Sequence, residues 1–424
     1  MTNNNLSSKL IIFDVGTYGH HSSYFKYLLT YYYEQNLSQT LDIVVSPKFI
    51  KNHNDVVQLV NIYKLENVRF IPITEAEEDQ LKIARENLGL DMIRFLGNNQ
   101  NDTSYATLEL KLFNHYAEKT QASQSMIMYL DDQRMLVASQ MNFFCPFSGI
   151  YFTPRFHYKV DNNQFDAKIE KTNQLRQKMI IKRFLDHPQL HNLFCLDTFA
   201  VQEIKSKFKT DKISYLPDPV SKKYQEIDNK VLRKKYQISQ EKVIFLLFGS
   251  LSERKGMNQL LKSILLLSDQ ECQQICLILA GKINNLETQN VELLQERINY
   301  VQDKKPIQLI QDNQFIPDAK LSEYFQLTDI VLITYPRHVG MSGVLLLASA
   351  YEKPVLASNY GLVGKLVNNH HLGITINATN PEEIANGIKN YLNNSKTINF
   401  ETISAQQFSQ EHSPEKFSNI LLQN

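Results

Sequence analysis

The stretch VIFLLFGSLSERKG, Val243 to Gly256, decides how the rest of the chain is read. Six consecutive apolar residues, Val243 to Phe248, are too few for a buried helix and suit a strand covered on both faces. They run into Gly249, a short polar turn with the cations Arg254 and Lys255, and then an amphipathic segment near 256–268. A strand, a glycine turn and a helix in that order form the front half of a βαβ unit.

The same alternation continues outward from this stretch. Apolar runs at Ile275–Ala280, Ile307–Ile310, Ile330–Ile333, Pro354–Ala357 and Gly373–Ile376 are separated by helical patterns near 287–302, 319–327, 343–352, 361–368 and 381–393. Strands that are each followed by a crossover helix predict a parallel, doubly wound α/β sheet. Upstream, Leu10–Val15, Leu41–Val45, Val68–Ile73, Met126–Leu130 and Gly149–Phe152 read as strands, with helices near 22–34, 54–64 and 107–120. A long polar, basic helix is expected within 161–190, and Leu193–Leu196 reads as a last strand before Pro217-Asp218-Pro219. Two prolines in three residues stop regular helix and mark a boundary. The expected organisation is an N-terminal domain over 1–216, a linker at 217–228, a second α/β domain over 229–411 and a C-terminal segment, 412–424, that can cross back to the first domain. In that segment Ser413 is a candidate N-cap with Pro414 at the first helical position, predicting a helix over 414–422.

Composition narrows the function classes. Across 424 residues, 45 Lys and Arg face 44 Asp and Glu, so no global field recruits a polyanion and nucleic acid is not an expected partner. The only early apolar run is Leu10–Phe13 and nothing approaches a spanning length, which predicts a cytoplasmic protein. Four cysteines, Cys145, Cys195, Cys272 and Cys276, form neither a disulfide framework nor a metal knuckle, and Cys272 and Cys276 flank a core strand as small hydrophobes.

Ligands of doubly wound sheets bind beyond the carboxyl ends of the strands. After Val243–Phe248, Gly249 and Ser250 allow close backbone approach, and Lys255 and Arg254 can neutralise a phosphate. The bland alternative is a solvated turn with two surface cations. After Ile330–Ile333, Tyr335-Pro336-Arg337-His338-Val339-Gly340-Met341-Ser342-Gly343 precedes a strongly apolar helix, whose free amides suit an anion. A diphosphate between this helix start and Lys255 is the natural expectation. A tight turn into a core helix is the alternative.

The order GSLSERKG, LILAG with Gly281, a second glycine-rich helix start with His338, and EKPVLAS resembles the C-terminal domain of the GT-B glycosyltransferases, in particular the retaining group 1 enzymes of family 4, related to sucrose synthase and mannosyltransferases. It covers roughly 240–395 by motif and the N-terminal half by architecture alone. The resemblance implies a GT-B fold of two Rossmann-like domains, and metal-independent transfer of a sugar from a nucleotide-diphosphate sugar to a carbohydrate, lipid or other hydroxyl acceptor, with retention and without a cofactor. It puts the donor-diphosphate lysine at Lys255. The arginine expected five residues earlier is Ser250, so Arg254 is the substitute. The paired glutamates of the donor helix fall at Val339 and Leu347, so both carboxylates are absent. A rival reading is therefore a noncatalytic sugar- or nucleotide-binding protein on a degenerate GT-B fold.

In the N-terminal half, Gly16 to Tyr24 follows the first strand. Gly19, His20 and His21 stand where the family places a loop near donor phosphate and acceptor. His157, in Phe152–Tyr158, is similar to a donor-facing family histidine, with a structural histidine as the alternative. Asp131 and Asp132 end a strand and can bind acceptor hydroxyls, act as a base, or merely cap. The segment 168–185 carries six cations and interleaved apolar residues. It reads as a helix docked on its own domain with a solvated basic face, or as one resting peripherally on an anionic membrane.

Overall fold

The structure, a computed structural model, describes residues 9–17, 21–86, 105–131, 141–154, 158, 164–222, 226–283, 291–393 and 398–423. It divides into two compact units, Met1–Leu216 with Pro414–Asn424, and Pro217–Ser413.

The first unit is a seven-stranded sheet ordered β3-β2-β1-β4-β5-β6-β7. Its strands are β1 (Lys9–Asp14), β2 (Thr40–Val45), β3 (Val68–Pro72), β4 (Gln124–Ile127), β5 (Phe147–Tyr151), β6 (Leu190–Cys195) and β7 (Ile213–Tyr215). The second is a six-stranded sheet ordered β10-β9-β8-β11-β12-β13. It contains β8 (Val243–Phe248), β9 (Ile275–Ala280), β10 (Gln308–Asp312), β11 (Ile330–Ile333), β12 (Val355–Ser358) and β13 (Gly373–Ile376). Every strand pairing in both sheets is parallel.

Both sheets reverse direction of winding at one place, between β1 and β4 in the first and between β8 and β11 in the second. Connections leave such a point to opposite faces, which opens a crevice beyond the strand ends. The central strands are sealed on both sides: β9, β11 and β12 are buried at every position. Their uninterrupted apolar runs follow from that two-sided cover.

Several elements differ from the sequence expectation. The single helix expected near 54–64 is two short pieces, Asn54–Val57 and Leu59–Ile62, preceded by a further short helix, Pro47–Asn52. The last two bury only Val56 between them, too little to stabilise a continuous helix through an Asn- and Val-rich stretch. The helix Glu75–Glu86 is so polar that it buries only Leu81 and Ala84, and periodicity misses it. Its signal is a capping box, in which the Glu77 amide donates to Thr74 Oγ1 at 3.2 Å and the Thr74 amide donates to Glu77 Oε2 at 2.8 Å. The basic segment forms the helix Gln164–Leu185, which ends short of 190. The terminal helix Pro414–Leu422 packs in the first unit on the helix His21–Glu34. There Phe417 meets Tyr24 at 4.7 Å, and Tyr31 donates to Asn419 at 2.6 Å.

All four cysteines are buried and free. Burial pushes the Cys276 thiol up to about 12, as expected of a core residue rather than a metal ligand.

Candidate functional site

The strands that flank the winding reversal of the second unit, β8 and β11, each deliver one side chain to the same place. Gly249 leaves β8 with φ +104°, and the chain then makes a single 3-10 turn, Glu253–Lys255, before the helix Met257–Leu265. Gly256, at φ +78°, joins the two. A Cβ there would lie 1.9 Å from the Thr334 carbonyl oxygen, so only glycine lets this turn close on the end of β11. The result is that Lys255 lies beside Tyr335. Its Nζ donates to Tyr335 Oη at 2.6 Å and to the Phe248 carbonyl at 3.3 Å, and stands 4.3 Å from the tyrosine ring centre.

Lys255 is 7% exposed, and among the described residues no carboxylate forms an ion pair with it. Burying an ammonium without a counter-charge is costly, and folds retain such a group where an anion compensates it. The solvated-turn alternative therefore does not hold for Lys255. Arg254 and Ser250, by contrast, are exposed.

Gly281 follows β9 at φ +137°, where a Cβ would meet the Gly249 carbonyl oxygen at 1.9 Å. The turns after β8 and β9 thus touch backbone to backbone. Beyond β11, His338 Nε2 lies 3.2 Å from the Met341 carbonyl and shapes the loop into the helix Gly343–Ala350. Ser342 is the N-cap residue, and its side chain makes no capping bond; the Leu345 amide donates to the Ser342 carbonyl at 2.9 Å, which leaves the Gly343 and Val344 amides as the first-turn donors that the helix itself does not use. Gly340 and Gly343 are not among the left-handed glycines, so neither is needed for its backbone angle. Val339 is 6% exposed, and Leu347 is half-buried.

The first unit has its own cluster at the corresponding reversal, beyond β1 and β4. Asp14, the last residue of β1, accepts from the Gly16 amide at 3.0 Å and lies 2.6 Å from His21 Nδ1. A Cβ on Gly16 would sit 2.2 Å from the His21 ring, so this glycine makes room for the imidazole. His21 stacks at 5.1 Å on Tyr129, which stacks at 4.2 Å on Phe152. Asp131 accepts from the Phe152 and Thr153 amides at 2.8 and 2.6 Å and from the Thr153 hydroxyl, which fixes the loop after β5. Asp197 is the buried N-cap of the helix Thr198–Phe208 and accepts from Tyr158. Gly19, His20, Asp132 and His157 lie outside the described residues. Sequence reasoning missed Asp14, Tyr129 and Tyr335. Asp14 carried a readable signal, since a carboxylate ending a strand just before Gly16 is poised to cap the following turn.

Residues 228–408 match the family model of glycosyl transferases group 1. That match covers most of the second unit. No curated protein sequence matches the chain. Among solved structures, HepE from Anabaena, in complex with UDP, superposes with a TM-score of 0.63 at 13% identity, over 98% of either chain. Sucrose-phosphate synthase from Thermosynechococcus elongatus gives 0.64 at 14% identity, again over 98% of both. A glycosyltransferase from Rickettsia africae gives 0.62 at 13%, covering 99% of this chain and 97% of that one. At such identities the superpositions establish the fold, which is GT-B, and the group 1 match is confined to 228–408. Lys255 and the loop from Tyr335 to Gly343 both fall within the group 1 region.

One consequence of the glycine-tight turn is directly testable. Gly256→Ala is expected to destabilise the protein by about 1–3 kcal/mol, because it adds left-handed strain to a backbone clash. It should also weaken anion binding by displacing Lys255. Calorimetric melts and titration with a nucleoside diphosphate check both effects, and unchanged values for both would detach this turn from the site.

Proposed function

We propose that the protein transfers a sugar from a nucleotide-diphosphate sugar to an acceptor hydroxyl, with retention and without a metal ion. The observation that carries this reading is the buried, uncompensated ammonium of Lys255, in a unit that matches the group 1 glycosyl transferase model and whose helix Gly343–Ala350 starts without a side-chain cap. Transfer breaks the bond between the anomeric carbon and the diphosphate oxygen, and negative charge grows on the leaving group. A fixed cation and preorganised amides at that position favour the charged state over the ground state. Retention fits a departing phosphate that itself takes the acceptor proton. UDP-sugars are the first donors to test, since HepE is described with UDP and with UDP-glucose.

The acceptor is assigned to the first unit, at Gly16 and His21 with the neighbouring Gly19, His20, Asp131 and Asp132. Asp14 fixes the His21 ring through Nδ1 and leaves Nε2 to meet a hydroxyl. Arg254, Gly249, Ser250, Gly281, His338, Gly340, Met341, Ser342 and Gly343 complete the donor side, with His157 assigned to the reacting centre.

A thermal-shift screen of nucleotide sugars tests the reading, because selective binding to the native state raises apparent stability by mass action. Stabilisation by one donor class, followed by its turnover, supports it; indifference to every donor overturns it.

For peripheral membrane contact, the supporting feature is the pair Leu175 and Met179, 62% and 63% exposed one helical turn apart, with Lys182 and Arg183 in the last turn of the same helix. Among the described residues no helix is long and apolar enough to cross a membrane. Basic and apolar groups on one helix suit an anionic surface. The double substitution Leu175→Glu with Met179→Glu is expected to reduce co-sedimentation with phosphatidylglycerol vesicles at least about tenfold, as loss of two apolar anchors predicts. Equal sedimentation of both proteins would assign the helix to packing alone.

A further inference from the structure

We infer that Tyr335 is a second ligand of the donor diphosphate, its phenolic O–H donating to the phosphate oxygens that Lys255 neutralises; the inference rests on the donor-site reading above. An ammonium has three donors and no acceptor, so in the 2.6 Å contact Lys255 donates and the Tyr335 oxygen accepts. The hydroxyl proton of Tyr335 must then point away from Lys255. Tyr335 is 2% exposed, and among the described residues no acceptor takes that proton.

Lys255 is under-satisfied in the same way. Two of its donors go to Tyr335 Oη and the Phe248 carbonyl, and among the described residues neither a further acceptor nor a carboxylate answers the third. Two donors without acceptors, one of them charged, therefore stand side by side in a buried place. A neutral ligand with a single acceptor satisfies one of them and leaves the charge uncompensated. A diphosphate satisfies both, since it offers several oxygens and opposite charge, and bonds to an ionised acceptor are the stronger kind.

The pair is held by backbone rather than by chance side-chain encounter. The Gly256 turn closes on Thr334, the residue before Tyr335, and Thr334 Oγ1 lies 3.5 Å from the Lys255 carbonyl. Lysine and tyrosine are thus brought in just beyond the adjacent strands β8 and β11. The competing role for Tyr335 is purely structural, a prop that keeps Lys255 in place.

Titration calorimetry with UDP, inorganic pyrophosphate and uridine separates these roles in wild type and Tyr335→Phe, which keeps the ring and removes the hydroxyl. The expected result is about tenfold weaker binding of both UDP and pyrophosphate, with uridine unchanged, as loss of one hydrogen bond to a charged group predicts. Undiminished pyrophosphate binding by Tyr335→Phe, or equal loss for uridine, overturns the inference and leaves the donor site standing. A wild type that binds neither UDP nor pyrophosphate overturns both. In wild type labelled with 3-fluorotyrosine, a tyrosine fluorine resonance should shift with pyrophosphate and not with uridine, a readout that needs no variant. Absence of any such shift also overturns the inference.

Discussion

Lys255→Met is expected to cut sugar transfer by a factor of about a hundred to a thousand, the loss of roughly 3–4 kcal/mol of transition-state stabilisation that follows removal of one preorganised electrostatic contact. The same substitution is expected to leave the free protein as stable as before or more stable, by up to about 2 kcal/mol. The two effects share a cause. Lys255 is 7% exposed and has no carboxylate partner among the described residues, so on the proposed donor-site reading the compensation of its ammonium comes with the ligand. Methionine matches the stem and removes the charge. Steady-state kinetics with the donor found by thermal shift, together with melting of the free protein, measure both signs. Loss of stability with full activity would show that Lys255 is a structural residue.

The second large effect concerns the positions where relatives of the resembled family carry glutamate. Val339→Glu is expected to destabilise the free protein by about 2–4 kcal/mol, because a carboxylate buried without a partner pays for desolvation or must be protonated. Val339 is 6% exposed, and its carbonyl accepts from the Leu362 amide at 3.3 Å, which ties it to the neighbouring helix. Leu347 is half-buried, so Leu347→Glu should cost far less and should not be needed for turnover. Denaturant midpoints measure the first expectation, and one donor panel applied to wild type and to the double glutamate variant measures the second. A silent wild type beside a binding-competent double variant would reverse the functional reading: the fold would then be a noncatalytic descendant whose lost carboxylates had carried the nucleotide.

Much of the second unit was legible because its strands are buried on both faces. Runs such as Val243–Phe248 and Ile275–Ala280 coincide with β8 and β9 residue for residue, since no polar position interrupts them. Edges were less legible. Strand β10 was expected at Ile307–Ile310 and runs Gln308–Asp312, because at the sheet edge only Asp312 is buried and the apolar pattern no longer marks the pairing. The short β7, Ile213–Tyr215, escaped for the same reason: three residues at an edge carry no periodicity.

The site divides along a similar line. Sequence by itself determined that Lys255 follows a strand and a glycine turn, that a second helix start follows β11, and that Val339 and Leu347 carry no carboxylate. These are facts of order and residue type, which local rules can read. Only the tertiary structure decided that Lys255 is buried while Arg254 next to it is exposed, that Asp14 rather than another acid holds His21, and that Tyr335 faces Lys255 from 80 residues away. Each depends on which strands become neighbours at the reversal of winding. That choice is made by the packing of whole layers and leaves no trace in the few residues of either loop.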